Sequence, residues 1–426
     1  MAETCHPASG GAVTATGPAG PRHGRFHFSP LWALVLLAAL SFRFLLSFLP
    51  SDAIDMPGYK AWSLYLATKG FRNFYQTWHV VYGPGYLYLL WLSGKLTLIL
   101  PGINHDWLIK FWMVLSDFTA GWLIYRIARR QGKTGLGFWL GVGYVLNPAV
   151  FFNSSVWGQF ESLMATLLLA TVYLFNRHRK EAACVFYTVA VLVKPQSAMV
   201  FPLVALLLLR DFDWKILLRA TLGAAAVFVL CVLPFSSGRP LYWLFGHYLK
   251  SSADYPYATA NGFNLWTVLG GQTVPDNRPF YGLTYFQWSL ILLAAVAALS
   301  LAVTRLKNAS DFTGYCAAFL LCGGVFCVGT RMHERYLYPA LLFLTVCLIW
   351  DYRFITALVG FSLCHLGNTW YIYIRAWQDQ VWAPPDDPLA FVIAVMTMLL
   401  YAGSLFYIFK GLRRCGLQLS ERDSPG

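Results

Sequence analysis

Charge is scarce in this sequence. Only 12% of its 426 residues are Asp, Glu, Lys or Arg, whereas a soluble domain carries about 25%. A soluble helical protein needs charged faces between its apolar segments, so this shortage excludes one. The nine Cys are scattered and form no Cys-x-x-Cys pair, which argues against a disulfide framework or a zinc site.

Apolar and aromatic residues take the place of the missing charge. Apolar types make up 58% of the chain, and its 17 Trp, 24 Tyr and 32 Phe suit membrane interfaces. The apolar runs predict an all-α, polytopic transmembrane protein of about 12 spans, several of them shorter than the roughly 20 residues that cross a bilayer upright. The net charge of +13 is explained by basic cytoplasmic loops, so no nucleic-acid partner is predicted.

The composition also predicts a domain organisation. Residues 1–27, rich in Ala, Gly, Pro and Thr, are predicted to be a disordered cytoplasmic tail. The transmembrane domain is predicted over 28–412 and a second cytoplasmic tail over 413–426. Within the domain we predict an outer loop 51–106 with juxtamembrane helices. A second outer loop, 236–283, either covers a cleft or forms an aromatic belt.

Basic clusters set the predicted topology. Arg126, Arg129, Arg130 and Lys133 form one cluster, and other basic groups follow later apolar runs. Because basic residues collect in cytoplasmic loops, the N-terminus is predicted to lie inside. The run over 84–100 then lies on or dips into the outer leaflet instead of crossing it, which its Gly-Pro-Gly start and interleaved aromatic residues favour.

This topology gathers the unusual polar residues on one face, although none of them was used to derive it. They are Asp52, Asp55, residues 157–161, Lys194, Asn261, Asn264 and residues 331–335. Their convergence predicts one shared site on the outer or lumenal face. The same signals fit a bacterial plasma (inner) membrane and an endoplasmic reticulum.

Acidic and basic residues in this set suit proton transfer and phosphate binding. A carboxylate such as Asp52 or Asp55 in an outer-leaflet cleft can take a proton from a hydroxyl, and helix capping in a solvated loop is the alternative. Lys194 lies between two apolar runs, where a charge normally has a partner. A lipid phosphate would serve as that partner, and a snorkelling interfacial lysine is the alternative.

The densest polar cluster beside an apolar run is Arg331, His333, Glu334 and Arg335. A planar guanidinium suits phosphate oxygens, and His adds a donor or shuttles a proton. Glu334 is placed to orient either neighbour. Positive charge at a membrane interface is the alternative, but this cluster faces outward, against the positive-inside trend.

Residues 157–161 supply a ring, an amide and a carboxylate from Trp157, Gln159 and Glu161. Such sets bind sugars, because aromatic faces stack on C–H surfaces while amides and acids bond to hydroxyls. An aromatic belt with incidental polar neighbours is the alternative.

Several catalytic motifs are absent. The sequence has no GxxxxGK[ST] loop, no HExxH or Cys/His metal spacing and no GxSxG elbow. No segment on the predicted cytoplasmic side is long enough for a nucleotide-binding domain. These absences predict no cofactor, with a divalent metal left open, and favour a substrate delivered within the membrane.

Six short motifs give the chain a resemblance to a known family. They are Asp55-x-x-x-Tyr59-x-x-Trp62, Tyr82-Gly-Pro-Gly-Tyr86-Leu-Tyr-Leu-Leu-Trp91, Trp157-Gly-Gln159-x-Glu161-Ser, Lys194-Pro-Gln196, Asn264-Leu-Trp266 and His333-Glu-Arg-Tyr336. In these motifs and their order, the chain resembles polytopic GT-C glycosyltransferases, in particular bacterial relatives of the second mannosyltransferase of GPI-anchor synthesis. Two positions depart from the family pattern: no acid precedes Tyr82, and Glu161 stands where Asp is common.

The resemblance implies a reaction and roles for these residues. A hexose, with mannose expected, moves with inversion from a polyprenyl-phosphate donor to a hydroxyl of a glycan, lipid or protein. Asp55 is the expected base, with Asp52 beside it. The expected phosphate ligands are Lys194, Arg331, His333 and Arg335, and the expected sugar or acceptor ligands are Trp157, Gln159, Glu161, Tyr82, Asn264 and Glu334.

A transporter or flippase of a lipid-linked sugar is the alternative function. It would need the same phosphate cations and aromatic lining but no base. Such transporters often contain inverted repeats with paired broken helices, and the sequence shows no convincing internal repeat. Membrane lipids are expected partners under both hypotheses.

Overall fold

The computed structural model describes residues 30–304 and 311–420, with side chains described as far as Lys410. The predicted tail over 1–27 lies outside the described residues, as do residues 421–426 of the predicted C-terminal tail. Residues 413–420 of that tail continue the last helix. The described chain is mostly helical and has almost no sheet, which confirms the all-α prediction.

Eighteen α-helices follow one another along the described residues. The first nine are α1 (Pro30–Leu46), α2 (Asp55–Lys69), α3 (Phe74–Thr77), α4 (Pro84–Ile99), α5 (His105–Arg130), α6 (Thr134–Val145), α7 (Pro148–Phe151), α8 (Glu161–Phe175) and α9 (Lys180–Val193). The rest are α10 (Phe201–Leu209), α11 (Trp214–Val232), α12 (Trp243–Ser251), α13 (Leu265–Val268), α14 (Tyr285–Thr304), α15 (Asp311–Val328), α16 (Tyr338–Cys347), α17 (Phe354–Ala376) and α18 (Pro388–Ser420).

Shorter elements join some of these helices. A π-helical turn over Phe152–Trp157 follows α7, and 3-10 turns occupy Pro195–Val200 and Leu233–Phe235. Two short strands, β1 (Pro279–Phe280) and β2 (Leu283–Thr284), form an antiparallel pair before α14.

Five helices are long and apolar enough to cross a membrane, namely α5, α11 with its following turn, α14, α15 and α18. A sixth crossing results if α6 and the segment Pro148–Trp157, which are bent by 47°, form one broken span. Within the described residues the predicted count of about twelve spans is therefore not confirmed. Several predicted runs fold as helices such as α10, whose nine residues are too few to cross a bilayer upright.

The core of the bundle surrounds α15 and α16. Every residue of α16 is buried, as are nearly all those of α15. A helix that is apolar on all sides belongs inside a protein or a bilayer, and here α5, α8, α14, α17 and α18 pack around these two.

A buried ion pair fixes α1 to this core. Arg43 Nη2 lies 2.6 Å from Asp117 Oδ2, and neither side chain is exposed. Arg43 also donates to the hydroxyls of Ser154 and Ser155 at 2.5 and 2.7 Å, and Tyr338 donates to Asp117 at 2.5 Å. Because both charges are fully hydrogen-bonded, this pair is tolerated in the interior. It anchors the π-helical turn that precedes Trp157.

Residues 51–106 contain α2, α3 and α4, and two glycines bring α4 against the end of α9. A Cβ at Gly83 would lie 2.1 Å from Leu192 O, and one at Gly85 would lie 2.8 Å from Val193 N. Only glycine permits this approach, which places the start of α4 next to the residue that follows α9. The position of α4 in the outer leaflet stays a prediction.

Candidate active site

A sharp turn presents the residues that surround Asp55. The π-helical turn ends at Gly158, whose φ of +92° is left-handed and whose Cβ, if present, would lie 2.4 Å from the Met56 side chain. The amides of Gly158 and Gln159 both donate to Asn153 O, at 3.1 and 3.0 Å. Glycine is therefore required here, and the turn directs the side chains on both sides of it toward the start of α2.

Asp55 is the first residue of α2 and is held by two donors. Its Oδ2 accepts a hydrogen bond from Trp157 Nε1 at 3.0 Å and another from Gln159 Nε2. Arg335 Nη1 lies 4.0 Å from the same oxygen, and the Asp55 side chain keeps 21% of its surface exposed. The structure thus brings the predicted base, two predicted sugar ligands and one predicted phosphate ligand together.

Aromatic residues enclose this group from the α2–α4 side. Tyr59 donates to Gln159 Oε1 at 3.1 Å, and its hydroxyl lies 3.2 Å from that of Tyr82. Tyr86 stacks on Phe160 with ring centroids 3.9 Å apart. The sequence-based assignment did not include Tyr59 as a site residue, although it lies one helical turn after Asp55 and therefore on the same face of α2.

Two cations and two further carboxylates meet beside Asp55. Lys194 Nζ donates to Glu161 Oε1 in an ion pair with no exposed surface on either side chain. Arg335 Nε lies 3.5 Å from the same Glu161 oxygen, and Arg335 Nη1 donates to Glu334 Oε1 at 2.5 Å. The cluster of Asp55, Glu161, Glu334, Lys194 and Arg335 is called the charged cluster below.

The Asp52 side chain bonds to the backbone at the start of α2 and forms no hydrogen bond with a side chain of the charged cluster. Its Oδ1 accepts from the amides of Ile54 and Asp55 at 3.0 and 2.8 Å, which is the capping role considered as the alternative. Its Oδ2 is buried and has no hydrogen-bond partner among the described residues. Burial, and then the negative charge of Asp55, raise the pKa of Asp52 to about 7.

Arg331 lies outside the charged cluster. It adopts a left-handed backbone conformation with φ of +63°. Its Nε donates to Asp276 Oδ2 at 2.6 Å, and its Nη1 donates to Ser252 O at 2.6 Å. The guanidinium therefore fastens the outer loop, and the structure does not bring it to Lys194 as predicted.

His333 is placed at the edge of the cluster among aromatic rings. Its ring centroid lies 4.8 Å from that of Tyr255 and 5.2 Å from that of Tyr336, both in edge-on arrangements. Burial, and then the positive charge of Arg335, lower the pKa of His333 well below its usual value. The imidazole is consequently neutral at pH 7 and contributes no positive charge to a phosphate site.

Asn264 has a structural role in this fold. Its side chain accepts from Trp266 N at 3.1 Å and donates to Phe326 O and Gly329 O at 2.9 and 3.0 Å. The amide thus caps α13 and ties it to the end of α15.

An apolar groove of about 340 Å³ is lined by residues that follow Lys194 and Arg335 in the chain, among them Pro195 and Tyr336. Its walls come from α10, α14, α15 and the 3-10 turn Pro195–Val200, and its polar end holds Gln196 and Tyr336. Gln196 Nε2 donates to Tyr336 Oη at 2.7 Å, and Lys194 Nζ lies 4.8 Å from the Tyr336 ring centroid. Tyr336, which lines the groove, therefore also contacts the buried cation, which does not itself line the groove.

A metal site was sought among the described side chains. Across residues 30–304 and 311–410, no group of three or more His, Cys, Asp or Glu side chains is arranged to hold a metal ion.

Known proteins resemble this chain in sequence and in fold. Residues 59–210 match the family model described as alpha-(1->6)-mannopyranosyltransferase, N-terminal domain. ArnT from Cupriavidus metallidurans bound to undecaprenyl phosphate superposes with a TM-score of 0.51 at 13% identity, over 90% of this chain and 77% of ArnT. The apo state of ArnT gives 0.50 at 14% identity, over 88% and 76%. No curated protein matches the chain in sequence.

The chain has a GT-C-type fold. The resemblance to GT-C glycosyltransferases predicted from the six motifs is therefore confirmed, and so is the prediction of a multi-pass membrane protein. The segment matched by the family model contains Trp157, Gln159, Glu161 and Lys194, and Asp55 lies four residues before it.

Proposed function

We propose that this GT-C-type protein is a membrane glycosyltransferase that moves a hexose, with mannose expected, from a polyprenyl-phosphate donor to a hydroxyl acceptor. The observation that carries the proposal is the juxtaposition of an oriented carboxylate with buried cations. Asp55 lies 4.0 Å from Arg335, which together with Lys194 approaches a single Glu161 oxygen.

Asp55 acts as the general base. Trp157 and Gln159 both donate to its Oδ2, which fixes the carboxylate and leaves Oδ1 without a hydrogen bond among the described residues. The acceptor oxygen forms a bond to the anomeric carbon while the bond from that carbon to the phosphate oxygen breaks. The hydroxyl proton passes to Asp55, and the electron pair leaves with the polyprenyl phosphate.

Lys194 and Arg335 stabilise the leaving phosphate. Cations fixed in a low-dielectric site are most effective where negative charge develops in the transition state. The charged cluster already has three carboxylates against these two cations. A phosphodiester therefore replaces Glu161 as a partner of one cation, or a carboxyl group takes up a proton as the donor binds. Burial raises the pKa of Glu334, which makes Glu334 the preferred proton acceptor.

The apolar groove takes the prenyl chain of the donor. Its volume of about 340 Å³ and its apolar walls suit a hydrocarbon, and its polar end at Gln196 and Tyr336 adjoins Lys194. ArnT, which shares the fold, was solved bound to undecaprenyl phosphate. Among the other expected ligands, Tyr82 is kept as a sugar ligand, and His333, expected as a phosphate ligand, is proposed as a sugar ligand because it is neutral. Arg331 and Asn264 are left out because other residues of the chain occupy their hydrogen-bonding groups.

The site is proposed to face the outside or the lumen. At the start of α5, Asp106 accepts a hydrogen bond from Ser51 Oγ at 2.8 Å, and Ser51 directly precedes Asp52. The last turn of α5 contains Arg129 and Arg130. The 26 residues of α5 extend about 39 Å, which exceeds the ~30 Å hydrocarbon core. Basic residues favour the cytoplasmic side, so the opposite end of α5 faces outward.

The deciding experiment uses purified protein in proteoliposomes with a panel of polyprenyl-phosphate sugars, mannose first. Release of free polyprenyl phosphate is measured for the wild type and for Asp55→Asn. Release by the wild type that is lost in the variant would support the proposal and name the donor. No release from any donor, with or without divalent metal and candidate acceptors, would contradict it and favour transport of a lipid-linked sugar.

A further inference from the structure

The short helix α12 carries an exposed apolar face. Tyr242, directly before the helix, and Phe245 and Leu249 within it are 72%, 61% and 73% exposed. Their spacing of three and four residues places them on one face of the helix. Because exposed apolar patches of this kind mark contacts with a membrane or a partner, this face indicates an interaction surface.

Another face of α12 is packed on the protein beside the charged cluster. Leu244 is buried. Tyr248 Oη donates to Val191 O at 3.3 Å, three residues before Lys194, and a Cβ at Gly83 would lie 2.1 Å from the same Tyr248 oxygen. The end of α9 and the start of α4 therefore hold α12 in place, and its apolar face points away from them.

The level of α12 in the membrane follows from α11. At the start of α11, Arg219 Nη2 lies 3.2 Å from Glu181 Oε1 in the first turn of α9. The ends of the two helices meet as well, since Val232 and Leu192 are buried in one cluster, to which Leu244 of α12 also belongs. The span that α11 forms with its following turn has 22 residues, which extend about 33 Å, close to the ~30 Å hydrocarbon core. α12 therefore lies where this span leaves the hydrocarbon.

The apolar face of α12 continues the lipid-facing surface of α11. Only 11% of the apolar part of that span is buried inside the protein, and Leu222 and Val229 are among its exposed residues. Phe228, at the edge of this exposed face, stacks on Phe245 of α12 with ring centroids 5.7 Å apart. The apolar surface thus passes from the membrane span onto α12 without a break. Because lipid covers α11, the same leaflet reaches the face of α12.

We propose that α12 lies in the plane of the membrane, with Tyr242, Phe245 and Leu249 inserted into the leaflet on the side of the charged cluster. Their partner is the boundary between the phospholipid headgroups and acyl chains, where aromatic side chains and amphipathic helices are stabilised. Lys250, exposed in the last turn of α12, stays on the aqueous side. The proposal makes α12 an aromatic belt within the outer loop 236–283, and it does not depend on transferase activity.

The test places a nitroxide label on the full-length protein in proteoliposomes of phosphatidylcholine and phosphatidylglycerol. Leu249→Cys and Tyr242→Cys carry the label on the proposed membrane face, and Lys250→Cys is the matched control one residue away. EPR power saturation compares collisions of each label with O2, which partitions into lipid, and with nickel EDDA, which stays in water. The signal of the wild type, labelled in the same way, is subtracted, and the melting temperature checks that each variant is folded.

We expect collisions with O2 to exceed those with nickel EDDA in Leu249→Cys and Tyr242→Cys, as in Leu222→Cys of α11, which is the reference for lipid. In Lys250→Cys the order should be reversed. Accessibility to nickel EDDA in either membrane-face variant as high as in Lys250→Cys would overturn the proposal and place α12 in water. Shielding from both reagents, with an immobilised spectrum, would overturn it in favour of a protein partner.

Discussion

Lys194 and Glu161 form an ion pair that excludes solvent completely, since neither side chain has any exposed surface. Lys194 follows the last residue of α9 and Glu161 is the first residue of α8, so the pair fastens two packed helices at the site. A charge within a membrane domain is costly and is normally paired. The alternative of a snorkelling interfacial lysine does not apply, because the ammonium is fully buried.

Removal of one partner of this pair should cost more stability than removal of both. Lys194→Met removes the cation that donates to the buried Glu161 carboxylate and leaves it only Arg335 Nε at 3.5 Å, so it should lower the free energy of unfolding by about 3–5 kcal/mol. K194M/E161M should recover most of that loss, because two apolar side chains replace two charges. Chemical denaturation in detergent measures both variants, and a double variant as unstable as the single one would contradict the expectation. Both variants should lack transferase activity.

Asp55→Asn should abolish catalysis and leave the fold intact. The substitution removes the proton acceptor, and general bases contribute about 10²–10⁴-fold in rate. Release of polyprenyl phosphate from the donor measures turnover, and the melting temperature checks folding. Asp52→Asn is the control, because Asn also caps helices and can accept the same two backbone hydrogen bonds. Turnover in Asp55→Asn near the wild-type rate would refute the assignment of the base.

Asp52 should make stability depend on pH. Its pKa is about 7 in the folded protein and 3.8 as the reference value, so the folded state holds a proton that the unfolded chain releases above pH 4. Stability should therefore fall as the pH rises from about 4 to 7 and then level off. Melting temperatures of the wild type and Asp52→Asn across this range isolate the effect. A difference between them that does not change with pH would exclude it.

Arg335 and Arg331 should differ in their effects on activity. Arg335→Gln removes a cation from the charged cluster and should abolish turnover. Arg331→Gln should preserve most turnover while lowering the free energy of unfolding by about 1–3 kcal/mol, because it leaves the buried Asp276 carboxylate unpaired. Asp276→Asn should resemble Arg331→Gln. Loss of turnover in both arginine variants, with folding intact, would mean that Arg331 also binds the donor phosphate.

Blocking the apolar groove should weaken use of long-chain donors. Ala297 of α14 lines the groove, and Ala297→Phe should raise the KM for a long-chain polyprenyl donor about 10-fold, since overpacking costs about 1–3 kcal/mol. A short-chain prenyl donor should be affected less. Ala298→Phe, on the exposed side of α14, is the control. An equal change in KM for both donors would mean that the prenyl chain of the donor does not bind in this groove.

Charge and hydropathy by themselves determined the class of this protein. Local composition predicts a helical membrane protein because long apolar segments belong in a bilayer. In the bilayer, a helix satisfies the backbone hydrogen bonds of such a segment within the segment itself. The position of Lys194 between two apolar runs is also a local feature of the sequence, and in the structure Lys194 lies between α9 and the 3-10 turn that precedes α10. The number of spans did not follow, because short apolar runs fit both crossings and buried half-length helices.

Only the tertiary structure decided which polar residues meet. Arg331 and Arg335 carry the same group in one motif, yet a left-handed backbone at Arg331 sends its side chain to Asp276 while Arg335 reaches Glu161. Partner choice of this kind depends on backbone directions set by residues far apart in the sequence. The Gln159–Asp55 contact joins residues 104 positions apart. No local pattern of charge or hydropathy predicts a contact between residues so far apart in the sequence.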